Sequence, residues 1–453
     1  MSAIKSRRQA DRAFTAEEFA TRRERIMDAI GQEAHALLQG APPPRGYVRF
    51  RQTNSFYYCA GLETPQAYLL VDGGARTSSL YLPWRGQADL AEGAWPGAED
   101  EALVREITGV EQIYPLDALS EQLTPVKTLY TPHAPAELQA ATRPDLLAAD
   151  RARAQDPWDG VLSREQRLIA LLRTRLPEVV VRDLTAILDE LRSIKSPSEV
   201  AVMRKAGALA AQAVIEAMRV TRPGIIEGQL GSLANYIYAV NGAQGEGYRP
   251  IIAGGENIWY AHYFRCDAPL QEGDLVLMDH APECDYYTSD IGRLWPVNGR
   301  FNAWQRELYG FVLAYHKTLL HAVRPGVMPD QVLDDAAEIM RGVWQDWPFS
   351  KEVYRRGAER MLAFRGHLSH PVGMAVHDDG AYQHRPLAPG TVFAIDPQLW
   401  VSEERLYLRV EDTVVITETG RELLTDAAPI EIEEVEALMQ EGPVALPHVL
   451  TGI

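Results

Sequence analysis

A chain of 453 residues is too long for one comfortable hydrophobic core, so its length predicts two domains. With 46% apolar and 24% charged residues it reads as a folded soluble protein, and a formal net charge of -17 argues against nonspecific affinity for nucleic acid or anionic membranes. Cys59, Cys266 and Cys284 are three cysteines without paired spacing, which suggests a reducing compartment and no disulfide framework or zinc ribbon.

In chain order, residues 11–38 read as helix, ended by "GAPPPRGYV". Arg7 and Arg8 precede it, but no apolar signal core follows them and no stretch approaches eighteen apolar residues. No membrane span is expected, and a cytoplasmic location is. Short strands follow at "YVRF", "AYLLV" before "DGG", and "SSLYLP"; residues 151–190 read as Arg/Leu-rich helix. This first part, residues 1–190, is predicted to be a small α/β domain.

A second domain, 191–453, is predicted to open with a strong helix start. Ser196 is the N-cap, Pro197 occupies the first helical position and Glu199 completes a capping box. Val200, Met203, Ala206, Ala210, Val214 and Met218 then recur at helical spacing until "RPG" at 222–224. Beyond it come apolar strands, "LVLMD", "TVFAID" and "LYLRVEDTVVIT", with helices at 302–322 and 330–344 between them. That is an α+β pattern.

Those three strands share an oddity, for each carries an acid within it or at its end: Asp279, Asp396 and Glu411. An unpaired buried carboxylate is costly, and several on neighbouring strands repel one another. Taken singly, each is best read as a turn former. Together with Asp290, eleven positions after Asp279, they point to a shared cation. "GHLSHPVGMAVHD" adds His370 and His377, seven residues apart around a glycine-containing turn. Oxygen donors with one imidazole suit manganese, cobalt, iron or zinc better than a thiolate-seeking ion. No "HEXXH", "GXSXG" or phosphate-binding lysine loop occurs. Cys266 and Cys284 read as packing, and His35, His316 and His321 as solvated helix residues.

"SDIGRLWPVNGRF", "HLSHPVGMAVHD", "RPLAPGTVFAIDP" and "LRVEDTVVITETG" resemble, in order, the motifs of the proline-specific metallopeptidases, the aminopeptidase P and prolidase group. "KSPSEVAVMRKAG" resembles the opening helix of their catalytic domain, and "RQTNSFYYCAGLETPQAYLLVDG" resembles the amino-terminal domain of aminopeptidase P. The resemblance implies a creatinase-like α/β domain followed by a pita-bread catalytic domain. It implies two divalent ions, manganese foremost, held by Asp279, Asp290, His370, Asp396 and Glu411, with a hydroxide bridging them. His262 and His377 match substrate-contacting, proton-moving histidines, and Arg409 matches a substrate-side arginine beside the bridging glutamate. The implied reaction is hydrolysis of the Xaa-Pro bond at a peptide's amino terminus; the implied assembly is a homodimer or homotetramer.

The chain departs from the pattern at six places. Asp396 stands for a glutamate, drawing the carboxylate back by about 1.5 Å. Gln398 and Trp400 follow it where glycine and tyrosine are usual. Gly366 and His367 displace the first histidine of "HGXXH", Gly292 replaces a threonine, and Ser55 stands where an aspartate is expected. The segment between Asp396 and Glu411 is short for aminopeptidase P, which leaves a dipeptidase reading open. A metal-free hydrolase and an inactive binding protein on the same fold are the other readings; the nearly whole ligand set argues against both.

Overall fold

The computed structural model describes residues 12–46, 48–85, 95–139 and 141–443. Two compact units divide the chain, Met1–Arg192 and Ser193–Ile453. In the first, β1 (Ala34–Gln39), β2 (Tyr68–Asp72), β3 (Thr77–Leu82), β4 (Gln112–Pro115), β5 (Thr128–Thr131) and β6 (Val180–Asp183) form one sheet in the order β4-β3-β2-β1-β5-β6. β1 to β3 are an antiparallel meander, turned at Asp72, whose Oδ1 accepts from the Gly74 and Ala75 amides. The outer strands β4, β5 and β6 join in parallel. Leu37, Leu70, Tyr81, Leu129 and Leu172 are central to a core on this sheet.

Three sequence expectations need correction here. The first helix runs only Ala16–Ile30, ended by Gly31 at φ +79°, and residues 34–39 are strand β1. "AHALLQ" is buried on both faces, the kind of apolar run whose periodicity cannot separate helix from buried strand. In "YVRF", Tyr47 lies outside the described residues, and Val48, Arg49 and Phe50 join no sheet. Within 151–190, helices Arg164–Arg175 and Thr185–Ser193 flank β6, a four-residue edge strand too short to stand out among helical neighbours.

The second unit opens with helix Pro197–Val220. Ser196 accepts from the Glu199 amide, and Glu199 accepts from the Ser196 amide at 2.7 Å. Met203, Ala206, Ala210, Val214 and Met218 are buried along it. Glu199 Oε1 also accepts from the Tyr287 hydroxyl at 2.5 Å, tying the helix start to the segment between Asp279 and Ile291.

Strands β7 (Ile251–Gly254), β8 (Leu275–Asp279), β9 (Ile291–Pro296), β10 (Leu368–Pro371), β11 (Val392–Ile395) and β14 (Glu411–Ile416) form an antiparallel sheet ordered β10-β11-β14-β9-β8-β7. β15 (Arg421–Leu423) pairs with β14, and β12 (Gln398–Val401) with β13 (Leu406–Arg409) makes a separate hairpin. The expected single strand "LYLRVEDTVVIT" is therefore two, parted at Val410 and belonging to different sheets. Helices Ala303–Ala322 and Pro329–Asp346 lie where the spacing placed them. Of the histidines read as solvated, His35 is in β1 beside Asp72, and His316 is fully buried 3.1 Å from Asp412.

Candidate metal centre

Sheet register explains why the acids meet. Ile251, Asp279, Gly292 and Glu411 pair in one row across β7, β8, β9 and β14. Residues in such a row share a face, so Asp279 and Glu411 point the same way with only a glycine between them. A Cβ on Gly292 would lie 2.9 Å from Glu411 Cβ and 3.1 Å from its Oε2, so the absence of a side chain leaves room the glutamate uses. Asp412, one residue on, turns to the opposite face and pairs with buried Arg293 at 2.6 Å. Asp290 enters just before β9, His370 lies in β10, and Asp396 follows β11.

Donor atoms of Asp290, His370 and Glu411 all lie within 4.8 Å of one another, and His370 Nε2 is 3.3 Å from Asp290 Oδ2. Asp279 and Asp396 attach to this trio through two groups. The Tyr248 hydroxyl sits 2.6 Å from Asp279 Oδ1 and 2.9 Å from Asp290 Oδ1. The Arg409 guanidinium bonds to Asp279 and lies 2.9 Å from Glu411 Oε2 and 3.6 Å from Asp396 Oδ2. All five sequence-predicted ligands and Arg409 thus fall in one buried cluster. The shortened Asp396 is held aside, its Oδ2 accepting from Gln398 Nε2 at 2.5 Å.

The shifted histidine has its own task. His367 is fully buried, with Nε2 2.8 Å from the Met361 carbonyl and Nδ1 accepting from the Gln398 amide at 3.3 Å. That pattern fixes a neutral imidazole protonated at Nε2, and burial lowers its pKa accordingly. It pins the turn that carries Asp396.

His377 stacks against His370 with ring centroids 3.8 Å apart, and exposed His262 lies 6.2 Å from His377. His262 belongs to a segment tied down by fully buried Glu227. Glu227 Oε1 accepts from the Gly254 amide (2.7 Å) and Asn257 Nδ2 (3.0 Å); Oε2 accepts from the Tyr263 hydroxyl (3.0 Å) and the Ala268 amide (3.0 Å). Trp400 stacks on Tyr407 at 4.0 Å and meets Trp259 edge-on at 5.1 Å. Trp400 and Tyr407 lie on the face of the β12–β13 hairpin shared by Gln398 and Arg409.

Electrostatically, four buried carboxylates face one guanidinium and one imidazole. Burial, reinforced by Asp290 and Asp396, pushes the Glu411 carboxyl well above the usual range even with Arg409 beside it. Burial and then the Asp279 charge raise Asp290, against the pull of His370. Burial opposes charge on Arg409 and His370, yet the acids around each prevail and hold both pKa values up. Negative charge is in surplus, and Asp396 Oδ1 is buried without a hydrogen-bond donor. Such a donor set fits divalent cations: it supplies the ligand chemistry and lacks the counter-charge.

Tyr248 and Glu227 did not stand out in the sequence, and Gln398 did so only as a departure from the motif. For Glu227 a cue existed, an acid opening an otherwise apolar helix; for Tyr248, contact with Asp279 depends on how a distant turn folds back.

The profile of metallopeptidase family M24 matches residues 201–418, and that of the aminopeptidase P amino-terminal domain matches residues 19–131. Xaa-Pro aminopeptidase from Escherichia coli K12 is 30% identical over 447 residues, covering 93% of this chain and 97% of the relative. Mitochondrial intermediate cleaving peptidase 55 from Arabidopsis thaliana is 28% identical, covering 93% of this chain and 83% of its own. Among solved structures, zinc-substituted E. coli aminopeptidase P in complex with product superposes with a TM-score of 0.77 at 29% identity, over 94% of this chain and 99% of that one.

Proposed function

The chain belongs to metallopeptidase family M24, and from that footing we propose that it removes the first residue from peptides whose second residue is proline. Its six-stranded mixed unit and its antiparallel unit are the creatinase-like and pita-bread domains of that family. The observation carrying the activity is the buried cluster of Asp279, Asp290, His370, Asp396 and Glu411, whose negative charge exceeds what Arg409 and His370 balance.

Those five side chains would hold two divalent ions, manganese foremost, with Asp290, His370 and Glu411 already gathered and Asp279 with Asp396 completing the set. Bound there, the ions supply Lewis acidity at the scissile carbonyl and lower the pKa of water to about 7. The protein's own residues do the rest. Tyr248 and Arg409 orient the acids. His377, stacked on His370, and His262 opposite it face the peptide and move the proton to the departing proline nitrogen. Half-buried Trp259 and Trp400, meeting edge-on, offer apolar surface for the pyrrolidine ring, with Tyr407 buried behind Trp400. An Xaa-Pro bond lacks the N–H that ordinary clefts bind, which makes a dedicated site necessary. No helix among the described residues is long and apolar enough to cross a membrane. A homodimer or homotetramer in the cytoplasm remains the expected setting.

The test is release of the first residue from an Xaa-Pro-Xaa tripeptide by protein stripped of metal and then given Mn or Co. Cleavage only with metal supports the reading; none under either condition rejects it. Comparing an Xaa-Pro dipeptide separates aminopeptidase from dipeptidase, the second reading favoured by the short Gln398–Arg409 hairpin.

A further inference from the structure

After β10 the chain makes a loop that returns His377 to the metal centre. The Asp378 amide donates to the Pro371 carbonyl at 2.9 Å and closes the loop; within it the Gly373 amide donates to the Ala375 carbonyl at 3.1 Å. That closure brings the His377 ring back against His370, with centroids 3.8 Å apart. The Asp378 side chain turns inward, where its Oδ2 accepts from Lys195 Nζ at 3.2 Å, and both side chains are 1% exposed. The pair fills space that only a glycine leaves open. A Cβ on Gly373 would lie 2.0 Å from Asp378 Oδ2 and 2.9 Å from Lys195 Cε. Lys195 is held from outside the loop: its amide donates to the Gly390 carbonyl at 2.8 Å, and Ile194 bridges to Thr391 just before β11.

Stability alone does not account for such a pair. Taking two charges out of water is costly, and apolar residues of similar volume fill a site of this kind as well or better. What an ion pair adds is direction. An apolar contact tolerates sliding, whereas a charge-assisted hydrogen bond holds one oxygen at one place. Here the residue held is the immediate neighbour of His377, and its anchor belongs to the fixed approach to β11.

We propose that Lys195 and Asp378 are positioning residues for His377. Their ion pair fixes the end of the loop, so that the imidazole stays stacked on His370 and faces the departing proline nitrogen. Neither residue touches the peptide. The inference rests on the peptidase reading above and adds a second layer to it.

The experiment compares the two single changes, Lys195→Met and Asp378→Leu, with the double change in the Mn-loaded, full-length protein. Each single change strands a buried charge and is expected to melt lower than the parent. The double change removes both charges and is expected to melt within about 2 °C of the parent with the same Mn content. A merely structural pair would let activity return with stability. The positioning role predicts that the stable double variant keeps kcat on an Xaa-Pro tripeptide about tenfold or more below the parent, with KM within about twofold. With His377→Ala already in place, the same double change is expected to cost less than about twofold further, because the pair acts through that ring. Should the double variant be unfolded at 25 °C, Asp378→Asn, which keeps the shape of the side chain, is read by the same three measurements. A kcat within about twofold of the parent, a rise in KM with kcat unchanged, or a full further loss in the His377→Ala background would overturn the proposal. The two readings fail differently: a parent that cleaves no Xaa-Pro peptide rejects the peptidase reading and this proposal with it, whereas equal cleavage by parent and double variant rejects the proposal alone.

Discussion

Replacing Glu227 by glutamine changes one oxygen to an amide and tests whether this carboxylate fastens the segment that carries His262. Four donors converge on it: the Gly254 and Ala268 amides, Asn257 Nδ2 and the Tyr263 hydroxyl. In the least costly orientation the amide oxygen keeps Gly254 and Asn257, and Tyr263 turns its hydroxyl to accept. The Ala268 amide then faces an NH2 group and has no acceptor. One stranded donor costs about 1–3 kcal/mol, and the two retained bonds lose their charge assistance, so about 3 kcal/mol in total is expected. For a unit of this size that lowers the melting temperature by about 6–12 °C. Because His262 rides on the loosened segment, kcat/KM on an Xaa-Pro tripeptide is expected to fall about tenfold, with metal content unchanged. Calorimetry and metal analysis on the same sample decide it. A melting shift under about 1 °C, or loss of metal with the stability intact, would refute the role given to Glu227.

Asp396→Glu returns the missing methylene and is expected to raise occupancy of the ion beside it, read by titration of metal-stripped protein; abolished occupancy would mean the position is not a ligand. Without metal, Asp290 and Glu411 have raised pKa values in the folded state, so their contribution to stability is full below their unfolded values of about 4 and is lost as pH rises through the folded ones. Metal-stripped protein is therefore expected to melt progressively lower from pH 5 to 8, and Mn to remove that slope; a rising melting temperature without metal contradicts the charge surplus. Burial pushes the Cys59 and Cys284 thiols up to about 12, while Cys266 is only half-buried. Iodoacetamide at pH 8 is expected to modify Cys266 first and the other two only on unfolding, which peptide mapping reads directly.

Much of the centre was legible because burial and charge conflict visibly in a sequence. Strands as apolar as "LVLMD" and "TVFAID" carrying acids demand a partner, and a two-residue period puts Asp279 and Glu411 on one face once their strands are neighbours. The capping box at Ser196 was legible for the same reason, its chemistry being local. What depended on distant chain was not. Tyr248 lies 31 residues from Asp279 in sequence and reaches it only through the turn before β7. Arg409 was read as an arginine beside Glu411, where the structure has it at 2.9 Å, but its bond to Asp279 was not foreseen, because the chain breaks at Val410 into two strands of different sheets. The fold misreadings have a similar origin. β1 is a doubly buried strand with no alternation, and β6 is a four-residue edge whose pairing with β5 supplies the structure its sequence lacks.

Anomalous diffraction from crystals grown with Mn tests the shared cationic centre most directly. A strong peak is expected among Asp290, His370 Nε2 and Glu411, with a weaker one toward Asp279 and Asp396 accompanied by movement of the Arg409 guanidinium. Strong peaks elsewhere, with those carboxylates still gathered around Arg409 and no ion between them, would contradict it.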